Sequence, residues 1–231
     1  DKRIKDLLAP PHVKASTKLV LVNALYFKAD WQSPFEKSAT QDADFFVTPQ
    51  SKARVPMMSR DGSFRYAETP DAQILEMPYR GAPVAMTIVL PKAKDGLGKI
   101  EGALSPAGLD AWLTKLAPTT VRVHFPKFRV EWGKDLGPML IALGMTDAFD
   151  GAKADFSGMT GTKELFIGAV VQKTFCEVDE KGTEAAAATA VVMAPGSAAP
   201  AAPAKDFLAD HPFLFMIRDT KTGSLLFLGR F

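Results

Sequence analysis

At 231 residues, with 47% apolar and 23% charged residues, the chain has a globular composition and can build one substantial core or two small ones. Its 28 basic and 26 acidic residues are interspersed and leave a formal charge of +2, which gives no footprint for nucleic acid and no polybasic membrane segment. No apolar run reaches the roughly 20 residues of a bilayer span, and the single cysteine, Cys176, cannot close an internal disulfide.

The first residue is Asp1, without a signal-peptide pattern, so the natural N-terminus is expected to have been removed or never included. "TKLVLVNALYF" (Thr17 to Phe27) is rich in β-formers and almost continuously apolar, which predicts a central strand covered on both faces. Asp44 to Tyr66 holds two extended stretches around turn formers. Gln73 to Lys92 repeats that layout about Arg80-Gly81, so two hairpins are expected. In "SPAGLDAWLTKL" a Ser precedes a Pro at the first helical position, and Leu109, Trp112, Leu113 and Leu116 follow at helical spacing.

"TTVRVHFPKFRVEW" alternates as a strand, and "DLGPMLIALGM" reads as a helix whose Pro138 suits a first turn. Glu164 to Val178 is a second long apolar strand, and "HPFLFMIRD" and "SLLFLGRF" form a hairpin about "TKTG". The chemistry of an enzyme is not evident: His12, His124 and His211 have no metal spacing, no G-x-S-x-G occurs, and Cys176 lies in an apolar strand. The expectation is no catalytic residue, no metal and no cofactor.

Between Asp179 and Asp206 stands "DEKGTEAAAATAVVMAPGSAAPAAPAKD". Its alanines favour a helix, and its prolines suit a linker. A third reading is an exposed functional loop, because the short apolar remainder after His211 must rejoin the core built earlier, and unstructured loops beyond about 12 to 15 residues are usually functional.

"DEKGTEAAAATAV" is similar to the hinge of a serpin reactive-centre loop, and "FLADHPFLFMI" to the signature that follows it. "LVLVNALYFKADWQSPF", "VPMM", "LEMPYRG", "IVLPK", "FPKFRVEW", "LGMTDAFDGAKADFSGMTG" and "FLGRF" follow serpin order along the whole chain. The resemblance implies an α+β fold, mostly antiparallel β, with a main sheet, two further sheets and a reactive-centre loop over 182–207. It also implies one serpin domain over 1–231, of bacterial type, that begins after helix F and lacks helices A to F.

Residue by residue, the resemblance puts Trp31 at the breach, Asn23 and Gln172 at the shutter, and Lys127 against Glu180. That pair, if partly exposed, would contribute about 0.2 to 1 kcal/mol. Without the resemblance, Trp31, Asn23 and Gln172 read as packing residues. The hinge would comprise Glu180, Gly182, Thr183, Glu184, Ala185, Ala186, Ala187 and Ala188. Serpins inhibit serine or cysteine proteases as suicide substrates, the cleaved loop inserting into the main sheet.

Period-2 alternation from Thr183 through Met193 puts small uncharged residues on one face, and insertion of about 16 residues at ~3.3 Å each would carry a protease roughly 50 Å. Thr183 would be the first inward-facing residue, so an arginine there is expected to slow insertion. The family's spacing from Glu180 gives Gly196-Ser197 as the reactive bond, with Met193, Ala194, Ala198 and Ala199 as alternatives; counting back from Pro212 gives a site near Ala201. The implied partner is a protease of elastase, subtilisin or chymotrypsin type, with no nucleic acid and no membrane, and the protein a monomer outside the cytoplasm, extracellular or periplasmic. A non-inhibitory serpin, chaperone-like or binding, and an inactive fragment are the alternatives.

Overall fold

The computed structural model describes residues 4, 7–8, 13–183 and 203–231. In chain order the strands are β1 (Leu19–Tyr26), β2 (Ala29–Asp30), β3 (Gln41–Thr48), β4 (Ser51–Glu68), β5 (Ala72–Pro78), β6 (Val84–Pro91) and β7 (Ala117–Pro126). There follow β8 (Phe128–Asp135), β9 (Ile167–Val178), β10 (Gly182–Thr183), β11 (Lys205–Leu208), β12 (Leu214–Asp219) and β13 (Leu225–Arg230). The helices are α1 (Leu97–Ala103), α2 (Pro106–Leu113), α3 (Gly137–Ala142) and α4 (Ser157–Thr160). They distribute over two compact units, Asp1–Phe27 with Arg129–Cys176, and Lys28–Phe128 with Glu177–Phe231.

In the first unit β1 runs parallel to β9, and Val22 stands opposite Val171. The two expected apolar strands thus share one ladder, with no strand between them. β8 pairs with β9 on its other side. Asp135 Oδ1 accepts from the backbone N–H of Gly137 (2.9 Å) and of Val170 (3.1 Å), which fixes the start of α3 against β9. Pro138 occupies the first turn of α3, where its missing N–H costs nothing. The helix stops at Ala142, short of the expected Met145, and Gly144 follows at a positive φ of 101°.

β9 is buried at Ile167, Ala169, Val171, Phe175 and Cys176, as a covered strand should be. β1 departs from the expectation: Leu21 is 43% exposed and Val22 44%. Adjacent strand residues point to opposite faces, so neither face of β1 is fully covered; its apolar sequence is matched by a partner along only one edge among the described residues.

The second unit is built on an eight-stranded sheet in the order β11-β7-β4-β5-β6-β12-β13, with β3 on β4. Hydrogen bonding therefore joins the two expected further sheets into one. The long β4 does this, pairing successively with β3 through Met57, with β7 from Met57 to Tyr66, and with β5 from Arg65 to Glu68. The single strand expected from Thr119 to Trp132 breaks at Lys127, because β7 pairs with β4 and β8 with β9. The turn between β5 and β6 carries Gly81 at φ 81°, a backbone conformation that disfavours other residues.

α2 starts as its sequence indicates, with Ser105 Oγ accepting from Gly108 N at 3.0 Å. Its Trp112 packs with Ile100 of α1, a helix the sequence pattern does not signal, against Ile74, Val89 and Met216. A second core of Phe125, Phe128, Phe213 and Phe231 has ring centroids 4.8 to 6.1 Å apart. Both ends of the stretch expected as a loop over 182–207 lie in strands, β10 at one end and β11, parallel to β7, at the other.

Candidate functional site

After β9 the chain reverses over Asp179 to Gly182. Asp179 Oδ1 accepts from the N–H groups of Lys181 (2.8 Å) and Gly182 (3.2 Å), while Asp179 N donates to Gly182 O (2.9 Å). The reversal is thus closed by its own side chain, an aspartate turn. Thr183 then pairs antiparallel with Val178 and, on its other side, with Ala29 of β2.

Close approach of the neighbouring strand constrains Gly182. A Cβ there would lie 2.7 Å from Asp30 Cα and 2.9 Å from Trp31 N, closer than van der Waals contact allows. Any side chain would push β10 off β2.

Three buried groups hold this reversal. Trp31 is 2% exposed, its ring stacked on Tyr79 with centroids 4.5 Å apart and planes 11° from parallel, and its Nε1 donates to Asp179 O at 3.0 Å. Tyr79 and Thr183 share a hydrogen bond between hydroxyls at 2.6 Å, and Thr183 is fully buried. Glu180 is 3% exposed; its backbone O accepts from Phe35 N at 2.7 Å and its Oε1 from Thr40 Oγ1 at 2.9 Å.

Lys127 meets Glu180 as expected, Nζ donating to Oε1 at 3.1 Å and making an ionic contact with Oε2 at 2.9 Å. Oε2 has no hydrogen bond beyond that contact. Burial pushes the Glu180 carboxyl up, but the Lys127 ammonium, a backbone N–H and the Thr40 hydroxyl outweigh it and hold the group below its ordinary value of 4.5. With the carboxylate side chain only 4% exposed, the scale of a surface ion pair does not apply.

Asn23 stands opposite Gln172 in the β1–β9 register, but no hydrogen bond joins their side chains, and Asn23 is exposed while Gln172 is half-buried. Thr183, expected to enter a buried position only on insertion, is already there, so an arginine at this position would disturb the resting fold as well as any later step. Tyr79, Thr40 and Asp179 were not singled out from the sequence. Their signal was weak: Tyr79 lies inside "LEMPYRG", yet nothing in that string tells a hydroxyl that bonds Thr183 from one that meets water.

Glu184, Ala185, Ala186, Ala187, Ala188, Met193, Ala194, Gly196, Ser197, Ala198 and Ala199 lie outside the described residues, as does His12. Burial raises the Cys176 thiol to about 12, so it stays protonated at neutral pH and is not poised as a nucleophile. His211 is buried, Nδ1 against Asp210 Oδ1 (2.6 Å) and Nε2 against Pro91 O (2.7 Å), and both contacts are structural. Among the described residues no group of three or more His, Cys, Asp or Glu is placed to hold a metal, and no helix is long and apolar enough to cross a membrane.

The family model for serpins, described as serine protease inhibitors, matches residues 1–231. Human Serpin B3 is 42% identical over 235 residues, an alignment covering 100% of this chain and 60% of the relative. Human leukocyte elastase inhibitor is 43% identical over 237 residues, covering 99% of this chain and 62% of the relative. A solved structure, that of Serpin48, a highly specific serpin in the insect Tenebrio molitor, superposes with a TM-score of 0.85 at 37% identity, over 99% of this chain and 59% of that one. The chain therefore spans about three fifths of the length of the relatives it matches. A buried, ion-paired reversal at the end of a long parallel ladder and a family model that matches from the first residue to the last agree: the chain belongs to the serpin family.

Proposed function

We propose that the protein inhibits proteases as a suicide substrate, its loop beyond Thr183 being cleaved and then inserted as a strand. One observation carries the reading: Thr183 is already paired antiparallel to Val178 at the end of β9, and β9 pairs directly with β1. A segment continuing in the sense of Thr183 would run antiparallel to β9, with the period-2 alternation that a buried strand requires. The small side chains of "EAAAATAVV" suit such an entry, since they can slide between neighbouring strands without overpacking. The relative named as an elastase inhibitor supports a protease as the target.

The reactive bond is Gly196-Ser197 in this reading, or one of its neighbours from Met193 to Ala201, and the target prefers small or apolar residues. Lys205 is the one basic residue between Gly182 and Asp206, so trypsin-like enzymes are poor candidates. The test is to mix the natural full-length protein with elastase-, subtilisin-, chymotrypsin- and trypsin-type enzymes and look for an SDS-stable complex, locating the cut by mass spectrometry. Trapping with a cut between Met193 and Ala201 supports the proposal. Cleavage there without any stable complex makes the protein a substrate and overturns it.

A further inference from the structure

Helices α1 and α2 cover part of one face of the eight-stranded sheet, over Ala67, Ile74, Val89 and Met216. The register fixes what shares that face beyond them. Arg65 stands opposite Glu76 on one side and Pro118 on the other; Glu76 stands opposite Thr87, and Thr87 opposite Met216. Residues two apart in a strand point the same way, so Ser63 of β4, Pro78 of β5, Ala85 of β6 and Arg218 of β12 belong to the same face. Ser63, Arg65, Glu76, Pro78, Ala85 and Pro118 line a cleft of about 450 Å³ there, all of it within the second unit. The volume is that of a small-molecule site.

The floor of the cleft is ionic. Glu76 is buried and is the one acidic residue in its walls. Arg65 Nη1 donates to Glu76 Oε1 at 3.0 Å, Thr87 Oγ1 donates to Oε2 at 3.4 Å, and the buried Arg218 forms an ion pair with Oε2. Two guanidiniums on one carboxylate leave one positive charge, and Arg65, whose side chain is 49% exposed, carries it to the cleft surface.

Donors are left over as well. A guanidinium has five N–H groups, and Arg65 uses one on Glu76 and one, at 3.4 Å, on Leu116 O. The others have no acceptor among the described residues, and the exposed Ser63 hydroxyl, next along the same face, has no partner there either. Asp61, the following residue of β4 on this face, is held by Arg122 at 3.4 Å and does not line the cleft. Pro78, Pro83 and Pro118 give the walls three rigid ring faces. A cleft with apolar walls and a few placed polar groups is the usual form of a small-ligand site.

We propose that this cleft binds a small aromatic monocarboxylic acid, its carboxylate on the unused guanidinium edge of Arg65 beside the Ser63 hydroxyl and its ring against the prolines. A carboxylate carries one negative charge at neutral pH and matches the one uncompensated positive charge. A phosphate monoester, close to a dianion, would bring a second negative charge beside Glu76. Arginine presents the planar donor edge that carboxylate oxygens accept. An exposed ion pair alone contributes little, so affinity requires the ring and the charge together.

Phenylacetate titrated calorimetrically into the natural full-length protein at neutral pH tests the site without using inhibition, and saturable binding is expected. Phenylacetamide keeps the shape without the charge and should bind about tenfold more weakly or worse, as should phenylacetate to Arg65→Gln and to Ser63→Glu. Arg218 still pairs with Glu76 in the first variant. Ser63 is exposed, so the second adds a like charge without removing a native bond. Arg60 lies an odd number of residues from Arg65 in the unbroken β4–β7 register and points to the opposite face, so Arg60→Gln should leave the affinity unchanged. No saturable binding, equal binding of acid and amide, or wild-type affinity in Arg65→Gln or Ser63→Glu overturns the proposal. An equal loss in Arg60→Gln overturns the assignment to this face.

Discussion

Val22 and Val171 face each other across the β1–β9 ladder, yet one is 44% exposed and the other 2%. At the reversal of the second unit the pattern is inverted: Thr183 and Glu180, a small polar residue and an acid, are 0% and 3% exposed. Burial at the first place follows from cover, and at the second from partners. An apolar side chain left in water forfeits only the stabilisation that cover would have given, about 25 cal/mol per Å². A buried carboxylate or hydroxyl without its partner costs the full desolvation of that group. The reversal is therefore where single substitutions should have the largest effects, although its residues are the less hydrophobic.

The largest effect is expected from Trp31→Ala. It removes a stacked ring and the donor to Asp179 O together, and a buried aromatic truncated to alanine typically costs about 3 to 5 kcal/mol. Denaturant unfolding of the 231-residue chain should register this as a lower midpoint. A cost under about 1 kcal/mol would mean that the Trp31–Tyr79 stack contributes little to holding the reversal.

Lys127→Met comes next. It leaves Glu180 buried with Thr40 as its remaining side-chain donor, which by comparison with other broken buried pairs costs about 3 kcal/mol near neutral pH. The pH dependence gives the sign. The folded value for Glu180 lies below 4.5, so the pair's stabilisation is fully present above that value and is lost as pH falls through the folded one. The difference between wild type and Lys127→Met should shrink in acid. A difference that stays constant from neutral pH to below the carboxylate range would assign the loss to packing of the lysine stem rather than to charge.

Thr183→Val should cost less, about 1 kcal/mol, because it keeps the shape and the strand preference and removes one hydroxyl from the pair with Tyr79. Adding Tyr79→Phe in the same chain tests the source: if the lost hydroxyl pair carries the cost, the double variant should lose much less than the sum of the two single losses. Additive losses in the double variant would place the effect elsewhere.

Much of the architecture was legible because local signals and packing agreed. Ser105-Pro106 wrote the start of α2, Gly81 its hairpin, and the alternating run through Val121 and Phe125 its strand. The break at Lys127 was not legible: "FPKFRVEW" continues to alternate, and only the hydrogen-bonding partners change from β4 to β9. The exposure of β1 was misread for a related reason, since an apolar strand states what it can bury and not what covers it. At the reversal, Glu180, Lys127, Thr183 and Trp31 were readable through resemblance alone. Tyr79 and Thr40 were not, because they approach Thr183 and Glu180 over sequence separations of 104 and 140 residues that no local pattern encodes.

The smallest effect is also the sharpest probe of the contrast between cover and partners. Valine and threonine share shape and β-branching, so Val→Thr changes a methyl to a hydroxyl and little else. At Val171 the hydroxyl would be carried into a covered face, and an unsatisfied buried hydroxyl costs about 1 to 3 kcal/mol. At Val22, its partner in the same register, water already reaches the side chain, and the change should stay within about 0.5 kcal/mol. Because both positions lie in one ladder, strand propensity cancels between them and the difference isolates cover. The two variants of the 231-residue chain, compared by denaturant midpoint, should therefore differ by at least about 1 kcal/mol in the order Val171 before Val22. Equal costs would show that the side chain of Val22 is as dry as that of its register partner Val171, and the distinction between a strand that is covered and one that is merely apolar would fail at this ladder.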